Sequence, residues 1–186
     1  MKKTLRPVVF ALLAFCLELF AGEIPENPVV LPYADSLVAL KGESLVPSNS
    51  EHFLQAPFIV LYYGAGWCPD CRRFSPSLVA AYNEQPAQAR QFEVLLVSRD
   101  KTADGMLKFM KTEKMAWPAL AFEKVASAES IQKLYSGAGI PCLTVIDLHG
   151  KVVLQSKSDQ DGAEVLKELQ TLVKGVGVSN SKSPRS

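Results

Sequence analysis

Several features that would narrow the function at once are scarce in this sequence of 186 residues. It has only two histidines and four cysteines. Lysine and arginine, 20 together, nearly balance the 19 aspartates and glutamates, so the chain offers no strongly basic surface for nucleic acid or anionic lipid. So few cysteines exclude the class of small secreted proteins that several disulfide bonds hold together. Hydrophobic residues make up 48% of the chain, which is enough to bury the core of one domain.

The first 21 residues are typical of a secretory signal peptide. A basic start precedes an apolar run at 8–17, and a small residue, Ala21, follows. The run is shorter than the roughly 20 residues that span a bilayer, so we expect cleavage near Ala21 rather than an uncleaved anchor. A lipoprotein acylated at Cys16 is the second alternative, which the bulky Phe15 before it disfavours.

The rest of the chain divides into a linker, one domain and a tail. Residues 22–36 contain three prolines and are predicted to be an extended linker. Residues 37–174 are predicted to form the domain. Residues 175–186 are rich in glycine, serine and lysine and are predicted to be a disordered tail.

Strand and helix patterns alternate within the predicted domain. Two short apolar runs around Gly42 predict a hairpin over 37–46. Continuous apolar runs predict buried strands at 58–63 and 92–98. The other predicted elements are helices at 68–90, 102–111, 130–135 and 161–173 and strands at 142–147 and 152–155. The order βαβα followed by ββα predicts an α/β fold with a mixed central sheet flanked by helices.

Cys68 and Cys71 stand where the first buried strand gives way to a helix. Their spacing allows the two sulfurs to bond within one helical turn. The free N–H groups and the dipole at the start of a helix favour a thiolate at Cys68. The pattern predicts a redox-active pair in which Cys68 attacks a substrate disulfide and Cys71 resolves the resulting mixed disulfide.

A zinc site is the main alternative for two cysteines at this spacing. It would need a second pair of Cys or His ligands, and the sequence has no second C-x-x-C. The two histidines are His52, in a polar stretch, and His149, in a predicted turn. We therefore predict no metal and no cofactor, with copper or zinc binding as the alternative function that metal analysis would test.

The motif and its surroundings resemble the thioredoxin superfamily. The segment from Phe58 to Pro76 contains Trp-Cys-Pro-x-Cys with a proline five residues after it, and Gly139-Ile140-Pro141 is similar to the family's cis-proline loop. Four further segments are similar to the tryparedoxin and nucleoredoxin branch: 97–100, 115–122, 134–135 and 145–147. The resemblance covers roughly residues 37–173 and implies a thioredoxin fold with an N-terminal β-hairpin.

The resemblance also implies where substrate would bind. The cis-proline loop of the family lies against the active-site sulfurs and pairs with the backbone of the incoming substrate. It implies a substrate surface formed by Trp67, Pro69, Ile140 and Pro141, with Trp117 near it. The alternative for Trp117 is an ordinary core position.

Three residues, Tyr62, Asp70 and Cys142, depart from the family's pattern. Tyr62 stands where thioredoxin has an acidic residue, and a tyrosine is a poor base at neutral pH, so the proton acceptor is left open. Asp70 between the cysteines predicts a reducing rather than a strongly oxidising pair, unless it is solvated and has little effect. Cys142 replaces a common threonine and is either a small buried residue, an auxiliary redox thiol, or a thiol that captures metal adventitiously with Cys68 and Cys71.

Together these features predict an exported enzyme, a thiol-disulfide oxidoreductase of the periplasm or the extracellular space. It would reduce protein disulfides with electrons from a membrane or soluble thiol donor, without nucleic acid and without stable membrane insertion after cleavage. The sequence leaves open an oxidase or isomerase of the same fold, and a non-catalytic binding module.

Overall fold

A computed structural model describes residues 27–180 apart from 50, 88, 138 and 160. The predicted signal peptide, the start of the predicted linker and the last six residues of the predicted tail lie outside the described residues. Within the described part, no helix is long and apolar enough to cross a membrane.

Seven strands form one mixed sheet in the order β2-β1-β5-β4-β3-β6-β7. The strands are β1 (Leu37–Lys41), β2 (Ser44–Pro47), β3 (Phe58–Gly64), β4 (Phe92–Ser98), β5 (Ala119–Leu120), β6 (Cys142–Asp147) and β7 (Val152–Gln155). β1 and β2 pair antiparallel, and β5 joins them to β4. β3 pairs parallel with β4 and antiparallel with β6. Because β3 and β4 run in the same direction, their carboxyl ends meet at one edge of the sheet.

The two central strands are buried on both faces, as their continuous apolar runs predict. Side chains alternate between the faces of a strand, so successive residues enter different cores. Val60 and Tyr62 belong to the first core, which also holds both cysteines of the C-x-x-C motif. Leu61 and Tyr63 belong to the second core, on the other face.

Within residues 27–180, six α-helices accompany the sheet. They are α1 (Glu51–Leu54), α2 (Pro69–Asn83), α3 (Ala103–Thr112), α4 (Phe122–Val125), α5 (Glu129–Gln132) and α6 (Gly162–Asn180). The sequence pattern predicts that α2 extends to about Arg90, but it ends at Asn83 because Pro86 has no N–H and disfavours a helical conformation at the residue before it. α6 continues beyond residue 175, where the predicted tail begins.

Residues 27–36 are not an extended linker. Leu31–Ser36 form a 3₁₀ helix with a proline in its first turn, where the fixed φ of that residue is compatible with helical geometry. Val30 is buried in the second core. The side chain of Asn27 is buried as well, with its Nδ2 donating to the carbonyl of Asp147 at 2.8 Å. This segment, predicted as linker, therefore packs against the domain.

The packing of this segment is testable through Asn27. We expect Asn27→Ala to lower the free energy of unfolding by about 1–3 kcal/mol, because the Asp147 carbonyl and the Val29 N–H lose a buried partner. The measurement is urea unfolding followed by circular dichroism. Asn83→Ala, at the exposed end of α2, is the matched control and should change the stability by no more than about 0.5 kcal/mol. Equal stability of the two variants would show that Asn27 does not hold the segment.

Candidate active site

The two cysteines lie at the carboxyl end of β3, where the loop 65–67 leads into α2. Cys68 is the N-cap of α2, and its Sγ accepts a hydrogen bond from the backbone N of Cys71 at 3.2 Å. Both cysteines are free thiols. Cys68 is 5% exposed and Cys71 is fully buried. The sulfur of Cys68 therefore lies at the positive end of the helix, in reach of solvent and of a backbone N–H that stabilises a negative charge.

A second loop meets the sulfur of Cys68 from the end of β6. The peptide bond between Ile140 and Pro141 is cis, and the thiol of Cys68 donates to the carbonyl of Ile140 at 3.4 Å. Trp67 and Pro69, the chain neighbours of Cys68, are exposed. Four of the five residues predicted to contact substrate are therefore brought together around this sulfur.

Trp117, the fifth, lies elsewhere, and the prediction that it is near the active-site surface is wrong. Its side chain is fully buried in the first core. Its ring packs edge-on against the ring of Tyr82, with the two centroids 5.3 Å apart. Trp117 stands just before β5, and the chain there places its side chain in the first core. The structure therefore shows the alternative, an ordinary core position.

Trp67 is the most exposed large hydrophobic side chain of the described residues, at 54%. Its indole Nε1 donates to the carbonyl of Arg99 at 3.0 Å, which fixes the ring at the end of β4. The preceding residue is held as well, since Gly66 N donates to Oδ1 of Asp100 at 2.9 Å and Gly66 O accepts from Arg72 at 2.6 Å. The loop that presents Cys68 is thus fixed on several sides.

Sequence reasoning missed the part that Asp100 plays in this loop. Its second carboxylate oxygen accepts from the hydroxyl of Ser98 at 2.9 Å, so both oxygens are engaged. Burial raises the pKa of Asp100 above its ordinary value, and its two hydrogen bonds oppose that shift. The similarity of segment 97–100 to the tryparedoxin branch was the signal that could have identified this residue.

Cys71 and Tyr62 are both held in their protonated forms. Burial raises the pKa of the Cys71 thiol, and its hydrogen bond with Cys68 raises it further. Burial also raises the pKa of Tyr62 well above its ordinary value, with the neighbouring Cys71 adding to the shift. The Tyr62 hydroxyl lies 2.9 Å from that of Ser75. Tyr62 therefore keeps its proton at neutral pH and accepts none from Cys71.

Asp70 faces solvent and forms an ion pair with Arg73, one turn along α2. The two side chains are 46% and 77% exposed. A carboxylate paired in this way and screened by water exerts little force on a neighbouring thiolate. This geometry is that of the solvated alternative, so Asp70 gives no support to a low redox potential.

Cys142 lies on the opposite face of the sheet from the motif cysteines. It is paired with Tyr63 in the register of β6 and β3, and both residues belong to the second core. Its sulfur is 3.4 Å from the hydroxyl of Ser136. Cys142 is thus placed as a small buried residue. Among the described residues, no three His, Cys, Asp or Glu side chains are grouped closely enough to hold a metal ion.

Two grooves differ in their relation to the cysteines. A groove of about 450 Å³ adjoins the motif and is lined by Trp67, Arg72 and Phe109, among others. A larger one, of about 1030 Å³, is lined by Phe58 and Leu172, among others, at the far end of β3. Another groove, of about 370 Å³ and lined by Asp70 and Pro141 among others, also lies beside the motif.

Comparison with known proteins gives consistent matches. A family profile described as thioredoxin-like matches residues 57–152. Tryparedoxin of Trypanosoma brucei brucei is 31% identical over 139 residues, which cover 72% of this chain and 91% of that protein. Probable nucleoredoxin 1 of Arabidopsis thaliana is 34% identical over 122 residues, covering 66% of this chain and 20% of the plant protein. The chain thus spans about a fifth of the length of that relative.

The structure is similar to that of thioredoxin from Wuchereria bancrofti, with a TM-score of 0.57 and 27% sequence identity. The match covers 78% of this chain and 97% of the nematode protein. The likeness therefore extends over most of both chains.

The difference in burial among the three thiols can be measured directly. In the native protein we expect iodoacetamide to modify Cys68 first, with Cys71 and Cys142 reacting roughly a thousandfold more slowly because each must await an opening of the core. Mass spectrometry of proteolytic peptides assigns each reaction to its residue and keeps Cys16 separate. Modification of Cys142 as fast as that of Cys68 would contradict its placement in the second core.

Proposed function

The chain belongs to the thioredoxin-like family, and from this membership we propose that it is a thiol-disulfide oxidoreductase that uses Cys68 and Cys71 as its redox pair. One observation carries the proposal. The sulfur of Cys68 caps α2 and lies 3.4 Å from the carbonyl that precedes a cis-proline, and Cys68 is 5% exposed whereas Cys71 is fully buried.

The first step is attack by the Cys68 thiolate on a substrate disulfide. The new bond joins the Cys68 sulfur to one substrate sulfur, and the other substrate sulfur leaves as a thiolate that takes up a proton. The N–H of Cys71 and the start of α2 stabilise the attacking thiolate before the bond forms. The burial of Cys71 keeps the second thiol protonated during this step, so that Cys68 is the residue that attacks.

The second step is resolution by Cys71. Its sulfur attacks that of Cys68 and releases the second substrate thiol, so the substrate gains two electrons and two protons and the protein is left with a Cys68–Cys71 disulfide. Cys71 must lose its proton to react. Since Tyr62 stays protonated, we propose that the departing substrate thiolate or water accepts this proton.

The direction that we propose is reduction of protein disulfides. Strongly oxidising pairs owe their potential to a stabilised dithiol form. Here the Cys71 thiol is buried and stays protonated, so it adds no stabilised thiolate to the dithiol form. The exposed ring of Trp67 and the open groove beside it suit a protein substrate, since they offer apolar surface for residues that flank a disulfide.

We further propose that the protein acts outside the cytoplasm, in the periplasm or after secretion. The basic and apolar start of the chain supports this. A reductase in such a compartment must be re-reduced after each turnover, so a membrane or soluble thiol donor would supply the two electrons.

Insulin reduction with dithiothreitol as electron source tests the proposed function. The wild-type protein should accelerate the reaction, and Cys68→Ser should abolish the acceleration, whereas Cys142→Ser, the matched control in the second core, should leave it unchanged. Cys71→Ser should accumulate a mixed disulfide with substrate, visible by non-reducing electrophoresis. Equal activity of wild type and Cys68→Ser would contradict the proposal.

Equilibration with glutathione tests the proposed direction of the reaction. A redox potential near −120 mV, roughly that of a strong periplasmic oxidant, would overturn the proposal that the protein is a reductase.

The raised pKa of Cys71 gives the resolution step a defined pH dependence. Below that pKa the thiolate fraction of Cys71 rises about tenfold per pH unit. We therefore expect the release of 5-thio-2-nitrobenzoate from its mixed disulfide with Cys68 to accelerate by about this factor per unit between pH 7 and 9. Stopped-flow absorbance measures the release, and Cys142→Ser should show the same slope. A rate already constant below pH 8 would show that Cys71 is not held protonated.

A further inference from the structure

We propose that Arg99 and Tyr135 are positioning residues that lock the cis-proline loop to the loop carrying Cys68. Together they hold the Ile140 carbonyl at the attacking sulfur, where it can receive substrate backbone. This inference rests on the proposed function and adds to it the residues that fix its substrate-docking loop.

The backbone of Arg99 is joined to the loop that carries Cys68. Arg99 N donates to the carbonyl of Gly64 at 2.8 Å. Its own carbonyl accepts from the indole of Trp67 at 3.0 Å. The two hydrogen bonds span the end of β3 and the residue before Cys68, so Arg99 cannot shift without moving this loop.

The side chain of Arg99 extends in the other direction, onto the segment that precedes the cis-proline. Its guanidinium carbon lies 4.5 Å from the centroid of the Tyr135 ring and 5.3 Å from that of Tyr63. One terminal nitrogen donates to the side chain of Gln132 at 2.8 Å. A guanidinium over a half-buried aromatic ring is attracted to the ring face, and the Gln132 contact fixes its orientation.

Tyr135 connects Arg99 to the cis-proline loop. Its hydroxyl donates to the carbonyl of Gly139 at 3.1 Å. Gly139 has φ +91, a conformation that favours glycine, and it directly precedes Ile140. The carbonyl of Ile140 accepts the hydrogen bond from Cys68.

These contacts close a ring around the attacking sulfur. It runs from Cys68 through Trp67 to Arg99, then through Tyr135 to the loop 139–141 and back to Cys68. Trp67 with Arg99, Arg99 with Tyr135, and Cys68 with Ile140 are contacts between residues at least 32 positions apart, whereas Tyr135 and Gly139 are four positions apart. If Arg99 or Tyr135 is removed, the cis-proline loop loses its tie to the Trp67 side of the site, while Cys68 and Cys71 keep their own hydrogen bond.

The chain provides a matched control for Arg99. Arg90 also lies over a tyrosine ring, 4.3 Å from the centroid of Tyr82, but at the opposite end of β4. Each of the two arginines has a buried Nε without a hydrogen-bond partner among the described residues. Arg99→Met and Arg90→Met therefore each remove an arginine–tyrosine contact, from the two ends of one strand. Arg90→Met also removes an ion pair with Glu93 at 3.7 Å, and Arg99→Met removes the hydrogen bond to Gln132.

Hydrogen–deuterium exchange of the full chain tests the lock without any turnover. In Arg99→Met the amides of residues 139, 140, 142 and 143 should exchange about fivefold faster, the effect of losing one contact of ordinary strength. Arg90→Met should leave them unchanged. Unchanged exchange in Arg99→Met would overturn the proposal whatever its activity.

Insulin reduction supplies the second measurement. Arg99→Met and Tyr135→Phe should raise the KM for insulin about fivefold, because the docking carbonyl is no longer fixed. The rate of Cys68 alkylation by iodoacetamide should stay within about twofold of wild type, since that reagent needs no docking loop. Arg99→Lys, which keeps a cation over the ring, should recover part of the loss. Tyr33→Phe is the control for Tyr135→Phe, because the Tyr33 hydroxyl bonds with Ser130 rather than with the cis-proline loop.

The outcomes separate the two proposals. A wild-type protein inactive on insulin would contradict the proposed function, and the exchange experiment would still decide on the lock. A KM unchanged in Arg99→Met, or a fall in the Cys68 alkylation rate as large as the change in KM, would overturn the positioning role.

Discussion

The hydrogen bond from the backbone N of Cys71 to the sulfur of Cys68 is the contact on which the site depends. It forms because α2 starts shortly after β3, with Cys68 at the N-cap. The sulfur of Cys68 takes the place of the oxygen that an ordinary polar N-cap side chain would supply. The parallel pairing of β3 with β4 ends both strands at the same edge and brings the supports of the Trp67 loop beside that cap. A shift of this helix start would separate the reactive sulfur from every group that surrounds it.

The sheet separates the buried residues of the protein into two environments. Tyr62 and the cysteines of the motif share the first core, whereas Tyr63 and Cys142 share the second. Residues that are neighbours in the chain can therefore have unrelated roles. The same separation keeps Cys142 away from the cysteines of the motif, although Cys142 directly follows the cis-proline loop whose Ile140 carbonyl contacts Cys68.

Burial also makes the two reactive cysteines unequal. Cys68 reaches solvent at the cap, and Cys71 is enclosed, where desolvation disfavours its thiolate. In the proposed reaction, this difference makes Cys68 attack first and Cys71 resolve, without an added base. Around the pair, fixed loops supply the geometry, with Asp100 holding Gly66 and the Arg99–Tyr135 contact joining the Trp67 side to the cis-proline side.

The sequence by itself determined the family, the mixed sheet and the positions of Cys68 and Cys71, because apolar runs, helix periodicity and a local motif depend on residues close together in the chain. It could not identify β5, which has only two residues and is defined by its partners in the sheet. Only the tertiary structure decided that Trp117 is core, that Asp70 faces solvent with Arg73, and that residues 27–36 pack on the domain. Burial and pairing across the sheet arise from contacts between segments far apart in sequence, and no local pattern records them.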